Sequence, residues 1–251
     1  MSQAGQVIRG VGDRLVSPLP RSESAELLDA PAHEPAELAA NLRDIRRVNT
    51  LLGGTSTVLR HLPPLIDRVP QRPVTILDLA TGSADIPLAI ARWATKRRIP
   101  VAITASDVSG EILDVARDHV AGQPGITLAQ YDARAIPLPD SAFDIVLCSL
   151  SLHHFAPDAA VRVLREMDRI ARAGFVLNDL RRGRLGYAAA WIAARLTTRN
   201  RLTRNDAPLS VKRAYTPAEL CDLLHRAGID DARITTHPWF RMAAVRAKPD
   251  A

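Results

Sequence analysis

Three acidic residues follow strand-like apolar runs, and each could bind a polar ligand. Asp78 ends the first run and opens a small-residue turn around Gly82, which leads into a helical stretch. A strand that breaks into a helix at glycine presents free backbone N–H groups at its carboxyl end. Asp107 follows the next run, where a carboxylate can accept hydrogen bonds from both hydroxyl groups of a ribose. Asp132 follows the third run and could accept from an adenine amino group.

The turn around Gly82 contains a single glycine. Ala80 and Ala84 stand where a dinucleotide-binding fingerprint would place glycines. A pyrophosphate could approach such a backbone less closely, so the turn favours a smaller ligand without phosphates. The incomplete fingerprint makes a nicotinamide-dependent oxidoreductase a weak alternative.

Strands and helices alternate from residue 74 onward, a pattern that predicts a parallel sheet with helices on both faces. The last core helix has a start signal in Thr216, Pro217 and Glu219 and an end signal in Gly228. The predicted strands are 74–79, 101–106, 126–130, 143–149, 173–178, 232–236 and 240–245, and the predicted core helices are 85–97, 109–120, 158–171 and 217–227.

These motifs, in this order, resemble those of the class I S-adenosylmethionine (SAM) dependent methyltransferases, in the branch that includes quinone-biosynthesis methyltransferases and small-molecule O-methyltransferases. The resemblance covers roughly residues 41–248. It implies an α/β, Rossmann-like fold with a seven-stranded, mostly parallel sheet, helices on both faces and a C-terminal antiparallel hairpin. It also implies an enzyme with SAM as its cofactor. The segments that carry it are 78–82, 107–109, 132–133, 136–139 and 143–148.

The resemblance also implies roles for individual residues. In that family the first acidic residue and the glycine turn hold the methionine part of SAM, the second acidic residue holds the ribose, and the third contacts adenine. Here these roles fall on Asp78 with Gly82, on Asp107 and on Asp132. The cofactor-binding residues that we predict are Asp78, Ala80, Gly82, Asp85, Asp107, Val108, Asp132, Ala133 and Ser149.

Paired histidines follow the fourth predicted strand, on the side where a methyl acceptor would lie. His153 and His154 are candidate general bases, because imidazole titrates near neutral pH and a phenol or enol must lose a proton. The alternative is that one of them hydrogen-bonds the loop backbone. Asp179 lies at the same edge, and we expect it to form an ion pair with Arg181 or Arg182.

We divide the chain into a mobile leader and one methyltransferase domain. The leader mixes Gly, Pro, Ser and charged residues without periodicity. We expect the second accessory helix to end at Pro63-Pro64. The leader is 1–36 and the domain 37–251, with accessory helices in 37–70, the core in 74–180 and 214–251, and a substrate-lid insert in 181–213.

The insert carries an amphipathic stripe, with Tyr187 and Trp191 flanked by arginines, and we interpret it as a lid over an aromatic or lipophilic acceptor. The alternative is that the stripe packs on the core. The formal net charge is +6, and nine basic residues and one acid give the insert +8. This charge supports transient contact with an anionic membrane surface as a subordinate hypothesis.

Composition restricts the compartment and the class of protein. The first 40 residues contain no apolar stretch of the kind a signal peptide needs, and no apolar run is long enough to span a bilayer. Cys148 and Cys221 offer neither a disulfide framework nor metal-site spacing. We therefore predict a cytoplasmic protein without a metal site.

Three functions fit the sequence. The first is methylation of a phenolic, polyketide-like or quinone-like small molecule, with oxygen slightly ahead of carbon as the acceptor atom. The second is a nucleic-acid methyltransferase that uses the basic insert, which the lack of an RNA-binding appendage and of a base-amine motif after strand four disfavours. The third is a SAM-binding domain without catalysis. The acceptor and the oligomeric state stay open.

Overall fold

The computed structural model describes residues 19–30 and 32–249. Its strands are β1 (Val74–Leu79), β2 (Val101–Asp107), β3 (Ile126–Gln130), β4 (Phe143–Ser149), β5 (Ala171–Leu180), β6 (Arg233–His237) and β7 (Arg241–Ala247). They form one sheet in the order β3-β2-β1-β4-β5-β7-β6. Neighbouring strands are parallel except where β7 pairs with β5 and β6. The predicted fold class is confirmed.

Eight α-helices flank the described sheet. They are α1 (Pro35–Leu51), α2 (Gly54–Ile66), α3 (Asp85–Arg97), α4 (Gly110–His119), α5 (Pro157–Ile170), α6 (Arg184–Thr197), α7 (Arg201–Arg213) and α8 (Pro217–Ala227). Short 3₁₀ turns occur at Leu27–Asp29 and at Leu152–His154. None of the described helices is both long and apolar enough to cross a membrane.

The two faces of the sheet pack on different helices. Side chains alternate between the faces along each strand, so Ile76 lies in a core with α2 and α3, whereas Leu77 lies in a core with α5 and α8. We call these sides the α2 face and the α5 face. The alternation decides which side chains at the strand ends can meet.

Helix α2 differs from its prediction, because it continues through Pro63 and Pro64. Each proline removes one N–H donor from the helix. Leu65 and Ile66, both 1% exposed, pack into the core of the α2 face. Burial of these two side chains favours one more helical turn despite the missing donors.

The described part of the predicted leader packs against the domain instead of moving freely. Arg21 donates to the carbonyl oxygens of Arg213 and Phe155 at 2.8 Å each, and Glu26 is 5% exposed. The backbone N–H groups of Leu27 and Leu28 donate to Asp206 on α7. The remainder of the leader, residues 1–18 and 31, lies outside the described residues.

Candidate active site

Three polar side chains reach the carboxyl edge of the sheet on its α2 face. Asp78 is opposite Leu147, and Ser149, two residues further along β4, is opposite Asn178 on β5. Alternation puts all three on one face. Asp78 Oδ1, Ser149 Oγ and both amide atoms of Asn178 are buried and have no hydrogen-bond partner among the described residues. Because buried polar atoms are normally paired, this row indicates a site for a polar ligand.

Asp78 is the charged member of this row. It is 2% exposed, and its Oδ2 accepts a hydrogen bond from Thr81 Oγ1 at 2.6 Å. Burial raises the pKa of this carboxyl to about 7. A cation against Oδ1 would offset the desolvation of the ionised form and lower the pKa again. The site therefore favours a ligand with a positively charged group.

The turn that follows β1 has three left-handed residues, Ala80 (φ 50°), Gly82 (φ 57°) and Ala84 (φ 56°). Alanine adopts this conformation at a cost that glycine avoids. Hence the two alanines sit where the backbone itself favours glycine. A Cβ built on Gly82 would meet only Leu42 Cδ2, at 3.9 Å, so the space beside this residue is open to a ligand.

Asp107 fastens this turn to the end of β2. Its Oδ2 accepts from the Gly82 N–H and its Oδ1 from the Ser109 N–H, both at 3.1 Å. Asp107 is 6% exposed, and burial raises the pKa of its carboxyl although both N–H groups lower it. The next side chain, Val108, is apolar and 59% exposed. The two residues place a buried acceptor beside an exposed apolar surface.

Asp85 connects the turn to α1. Its carboxylate accepts from Asn49 Nδ2 at 3.0 Å, and burial raises its pKa. Asn49 also lies near Arg241, which is fully buried and donates through Nε to the carbonyl oxygen of Leu52. A network of polar groups thus joins the first helix, the turn and the start of β7.

Asp132 lies at the open end of the same edge, beyond β3. The Tyr131 N–H donates to the carbonyl oxygen of Asp107 at 3.2 Å, which brings the two chain segments together. The Asp132 carboxylate pairs with Arg134, with 2.6 Å to Nη2, and this pairing lowers its pKa. Its side chain is 36% exposed, whereas Ala133 is buried.

The paired histidines belong to the α5 face instead. His153 Nδ1 lies 2.7 Å from Asp179 Oδ1, and His154 Nδ1 lies 2.7 Å from Asp29 Oδ1. The expected ion pair of Asp179 with an arginine is therefore wrong for Arg182, which bonds to Glu219 on α8. Asp179 holds the histidine turn because it also accepts from the His153 N–H at 3.0 Å.

Residues 76–174 match the family model described as a methyltransferase domain. The chain is 33% identical over 177 residues to the ubiquinone/menaquinone biosynthesis C-methyltransferase UbiE of Acidiphilium cryptum, across 69% of this chain and 66% of that relative. Residues 76–174 therefore form a methyltransferase domain, and the chain is similar to the class I SAM-dependent methyltransferases.

The chain is also 36% identical over 104 residues to the demethylmenaquinone methyltransferase of Deinococcus radiodurans, across 41% of this chain and 40% of that relative. It spans less than two thirds of the length of either curated relative. A crystal structure of a SAM-dependent methyltransferase from Aquifex aeolicus shares the fold at 16% identity, with a TM-score of 0.59, across 85% of this chain and 98% of that one.

The residues at the sheet edge fit SAM as a cofactor. SAM carries an ammonium group, for which Asp78 Oδ1 is a buried acceptor without a partner among the described residues. It also carries a carboxylate and ribose hydroxyls that need polar contacts. The open space beside Gly82 leaves room for them.

Sequence reasoning did not find two members of this edge, Asn49 and Arg241. Asn49 lies on the first accessory helix, to which no site role was assigned, and Arg241 is the second residue of the predicted strand 240–245. One feature of the sequence could have indicated Arg241, because it is a charged residue near the start of a strand that packs on the core.

Proposed function

We propose that this protein transfers a methyl group from SAM to a small lipophilic acceptor with a quinol-like or phenolic ring. The observation that carries the proposal is the row of buried polar atoms of Asp78, Ser149 and Asn178, which have no hydrogen-bond partner within residues 19–30 and 32–249. Leaving such atoms without partners costs stability. The amino-acid end of SAM has the charges and hydrogen-bonding groups to pair with them.

Each of the predicted cofactor-binding residues contacts a different part of SAM. Asp78 binds the ammonium group, and the turn from Ala80 to Asp85 surrounds the methionine part. Asp107 accepts from the ribose hydroxyls with the lone pairs that its two backbone donors leave free. Val108, 59% exposed without a ligand, is covered by the adenine ring. Ala133 lines the same side, and Asp132 accepts from the adenine amino group.

Methyl transfer requires mainly that the protein aligns the acceptor with SAM. When bound, SAM supplies a methyl group that its sulfonium already activates. The protein holds the acceptor atom in line with the sulfur–methyl bond and keeps water away. In this proposal neither His153 nor His154 acts as the general base, because both Nδ1 atoms bond to carboxylates and both Nε2 atoms face Glu26. The acceptor therefore releases its hydroxyl proton to solvent before the pocket closes and attacks the methyl group as its anion, and S-adenosylhomocysteine is the leaving group.

The acceptor class is supported by the relatives and by the insert. Both curated relatives carry names of quinone-biosynthesis methyltransferases. Residues 184–213 form α6 and α7, and α6 leaves a group of apolar side chains exposed. They are Leu185 (50%), Trp191 (42%), Ile192 (50%) and Leu196 (80%). We interpret this apolar group as the entrance for a lipophilic acceptor.

A nucleic-acid substrate is less well supported, because several basic side chains of the insert bond within the protein. Arg182 and Arg213 are buried. Arg201 pairs with Glu37 on α1, and Arg195 stacks on Trp191 at 3.8 Å from the ring centroid. These contacts leave less of the +8 charge for phosphates.

Contact with a membrane surface is a second element of the proposal. The apolar group on α6 is flanked by Arg184 and Arg195, a combination that favours binding to anionic lipid interfaces. Sedimentation with anionic vesicles at low salt should pellet the wild type, and Leu196→Glu should reduce the pelleted fraction. Leu51→Glu, at a 72% exposed residue of α1, is the control. Equal behaviour of both variants, or no pelleting, would contradict membrane contact.

The cofactor part of the proposal is tested by calorimetry with SAM. Removal of a neutral hydrogen-bonding group by Ser149→Ala or Asn178→Ala should weaken binding by about 2–10-fold. Thr127→Ala removes the hydroxyl of an exposed β3 residue that contacts Thr104 on β2, and it should leave the affinity unchanged. Absence of SAM binding to the wild type would refute the proposed function.

The acceptor is tested separately with SAM that carries a ¹³C-labelled methyl group. A panel of isoprenoid quinols and simple phenols should contain methylated products, and the ¹³C chemical shift distinguishes a C-methyl from an O-methyl group. SAM binding without any methylated product in this panel would refute the acceptor class and leave the cofactor site intact.

A further inference from the structure

A second polar site lies on the α5 face, where the N-terminal segment covers the histidine turn. Glu26, His153 and His154 each direct a potential metal-binding atom to one point, and these atoms lie within 4.8 Å of one another. His153 Nε2 is 3.7 Å from Glu26 Oε1, and His154 Nε2 is 3.8 Å from Glu26 Oε2. The side chains of Glu26 and His153 are 3% exposed and that of His154 is 22% exposed.

The hydrogen bonds at Nδ1 of the two histidine rings indicate which ring nitrogen carries the lone pair. Each Nδ1 lies 2.7 Å from a carboxylate, Asp179 for His153 and Asp29 for His154. An Nδ1–H that donates to a carboxylate leaves the lone pair of a neutral imidazole on Nε2. Both lone pairs therefore point towards the Glu26 carboxylate, which is also an acceptor.

No donor links these three groups directly. The two nitrogen–oxygen distances exceed the range of a hydrogen bond, and Glu26 Oε1 has no hydrogen-bond partner among the described residues. Three acceptors that converge in a buried place repel one another unless a proton or a metal cation lies between them.

The surrounding charges also favour a cation. Glu26, Asp29, Asp179 and Asp206 bring four carboxylates to the N-terminal segment and the two rings, whereas Arg21 and Arg213 bring two guanidinium groups. Among these six groups the carboxylates outnumber the guanidinium groups by two when Glu26 is ionised, and a divalent ion would offset that difference.

Arg213 does not replace such an ion. Its Nε is 3.8 Å from Glu26 Oε1 but donates to the carbonyl oxygen of His153. Its two Nη atoms donate to the carbonyl oxygens of Ser24 and His154 and to the Asp29 carboxylate. These donors hold the backbone around the cluster and leave the centre of the cluster without a bonded cation.

We propose that Glu26, His153 and His154 bind one zinc ion that fastens the N-terminal segment to the domain. Two imidazole nitrogens and one carboxylate are a known zinc ligand set, with a fourth position for water. Zinc-bound histidines donate their other ring N–H to carboxylates or carbonyl groups, as Asp179 and Asp29 allow here. Imidazole ligands favour zinc over magnesium or calcium. The proposal is independent of SAM and of the acceptor.

The ligand atoms must move closer together to bind this ion. Zinc binds imidazole nitrogen and carboxylate oxygen at about 2.0–2.2 Å, so ligand atoms in a tetrahedral site lie about 3.3 Å apart. The two nitrogen–oxygen distances, 3.7 and 3.8 Å, run to different oxygens of Glu26, and the three ligand atoms lie within 4.8 Å of one another. Zinc binding therefore requires side-chain rotation that draws these atoms together.

The test is metal analysis and titration of the purified full-length chain. Mass spectrometry of the metal content should find about one zinc per chain after purification without chelators. Chelator treatment should lower Tm, and added Zn²⁺ should restore it. Co²⁺ added to the stripped protein should give the visible absorption of a tetrahedral site.

Variants then locate the site. Glu26→Gln replaces a ligand and should weaken Zn²⁺ binding by more than about 100-fold. Asp29→Asn replaces the hydrogen-bond partner of the ligand His154 and should weaken Zn²⁺ binding by about 10–100-fold. His237→Ala is the matched control, because His237 contacts His61, outside this cluster. It should leave zinc binding unchanged.

Two results would overturn the proposal. One is wild-type protein, purified without chelators, that neither contains nor binds stoichiometric Zn²⁺. The other is Glu26→Gln protein that stays folded by circular dichroism and binds Zn²⁺ as tightly as the wild type does.

Discussion

Asp78→Asn should make the ligand-free protein more stable and SAM binding weaker. Burial raises the pKa of Asp78 from 3.8 to about 7, about three pKa units. At 1.36 kcal/mol per unit, ionisation of this carboxyl in the fold costs about 4 kcal/mol. Asparagine still accepts from Thr81 Oγ1, but its amide N–H₂ takes the place of the unpartnered Oδ1, at a cost of about 1–3 kcal/mol. The net gain above pH 7 is therefore about 1–3 kcal/mol.

The pH dependence of the stability difference between variant and wild type shows whether ionisation of Asp78 is its cause. Between pH 3.8 and about 7 the folded protein keeps the Asp78 proton, while the unfolded chain has released it. The folded state binds more protons there, so wild-type stability falls as the pH rises and levels off above the folded pKa. The asparagine side chain of the variant does not titrate. The variant should be less stable than the wild type near pH 4 and more stable near pH 8.

Urea unfolding without SAM measures this difference, and calorimetry measures the loss of affinity. A charged hydrogen bond contributes about 1.5–3 kcal/mol, so SAM should bind about 10–150-fold more weakly to the variant. The reasoning would be refuted by a stability difference that does not change between about pH 4 and pH 8, together with an unchanged affinity for SAM.

Three more substitutions test the site and the sheet. Asp107→Ala should weaken SAM binding by about 1.5–3 kcal/mol; unchanged affinity by calorimetry would reject its role. Ala80→Gly, at φ 50°, should stabilise the protein by up to about 1 kcal/mol and raise Tm by about 2–4 °C; a lower Tm would contradict this. Gly174→Ala puts a Cβ 2.0 Å from the Arg246 carbonyl oxygen at φ 148°. It should cost more than about 3 kcal/mol, and wild-type-like unfolding would disprove the close approach.

The sequence predicted the elements whose signals are local. The strands 74–79, 126–130 and 143–149 have the predicted bounds, because short apolar runs between turns define them. Helix α8 begins at Pro217 after a Thr216–Glu219 capping box and ends at Ala227, with Gly228 (φ 82°) as its C-cap. Residues next to each end of this helix provide its capping hydrogen bonds, so the sequence alone was sufficient to predict its bounds.

Predictions that depended on tertiary contacts were less complete. The helix through Pro63 and Pro64 continues because of core packing that no local signal reports. The environment of His153 depends on Glu26 and on Asp179, which are distant from it in the sequence. Sequence placed the histidines at the correct strand end, but it could not identify their partners.

The docking of residues 19–30 has a practical consequence for anyone who trims this chain for expression or crystallisation. A cut at residue 37, the start of the predicted domain, would delete Arg21, Glu26 and Asp29. It would remove the contacts of the Leu27–Asp29 turn with α7 and strip partners from His153 and Arg213, which are both buried. If the shortened protein precipitates or unfolds at a lower temperature, the cause would be the loss of this packed N-terminal segment. A boundary before residue 19 is therefore the safer choice.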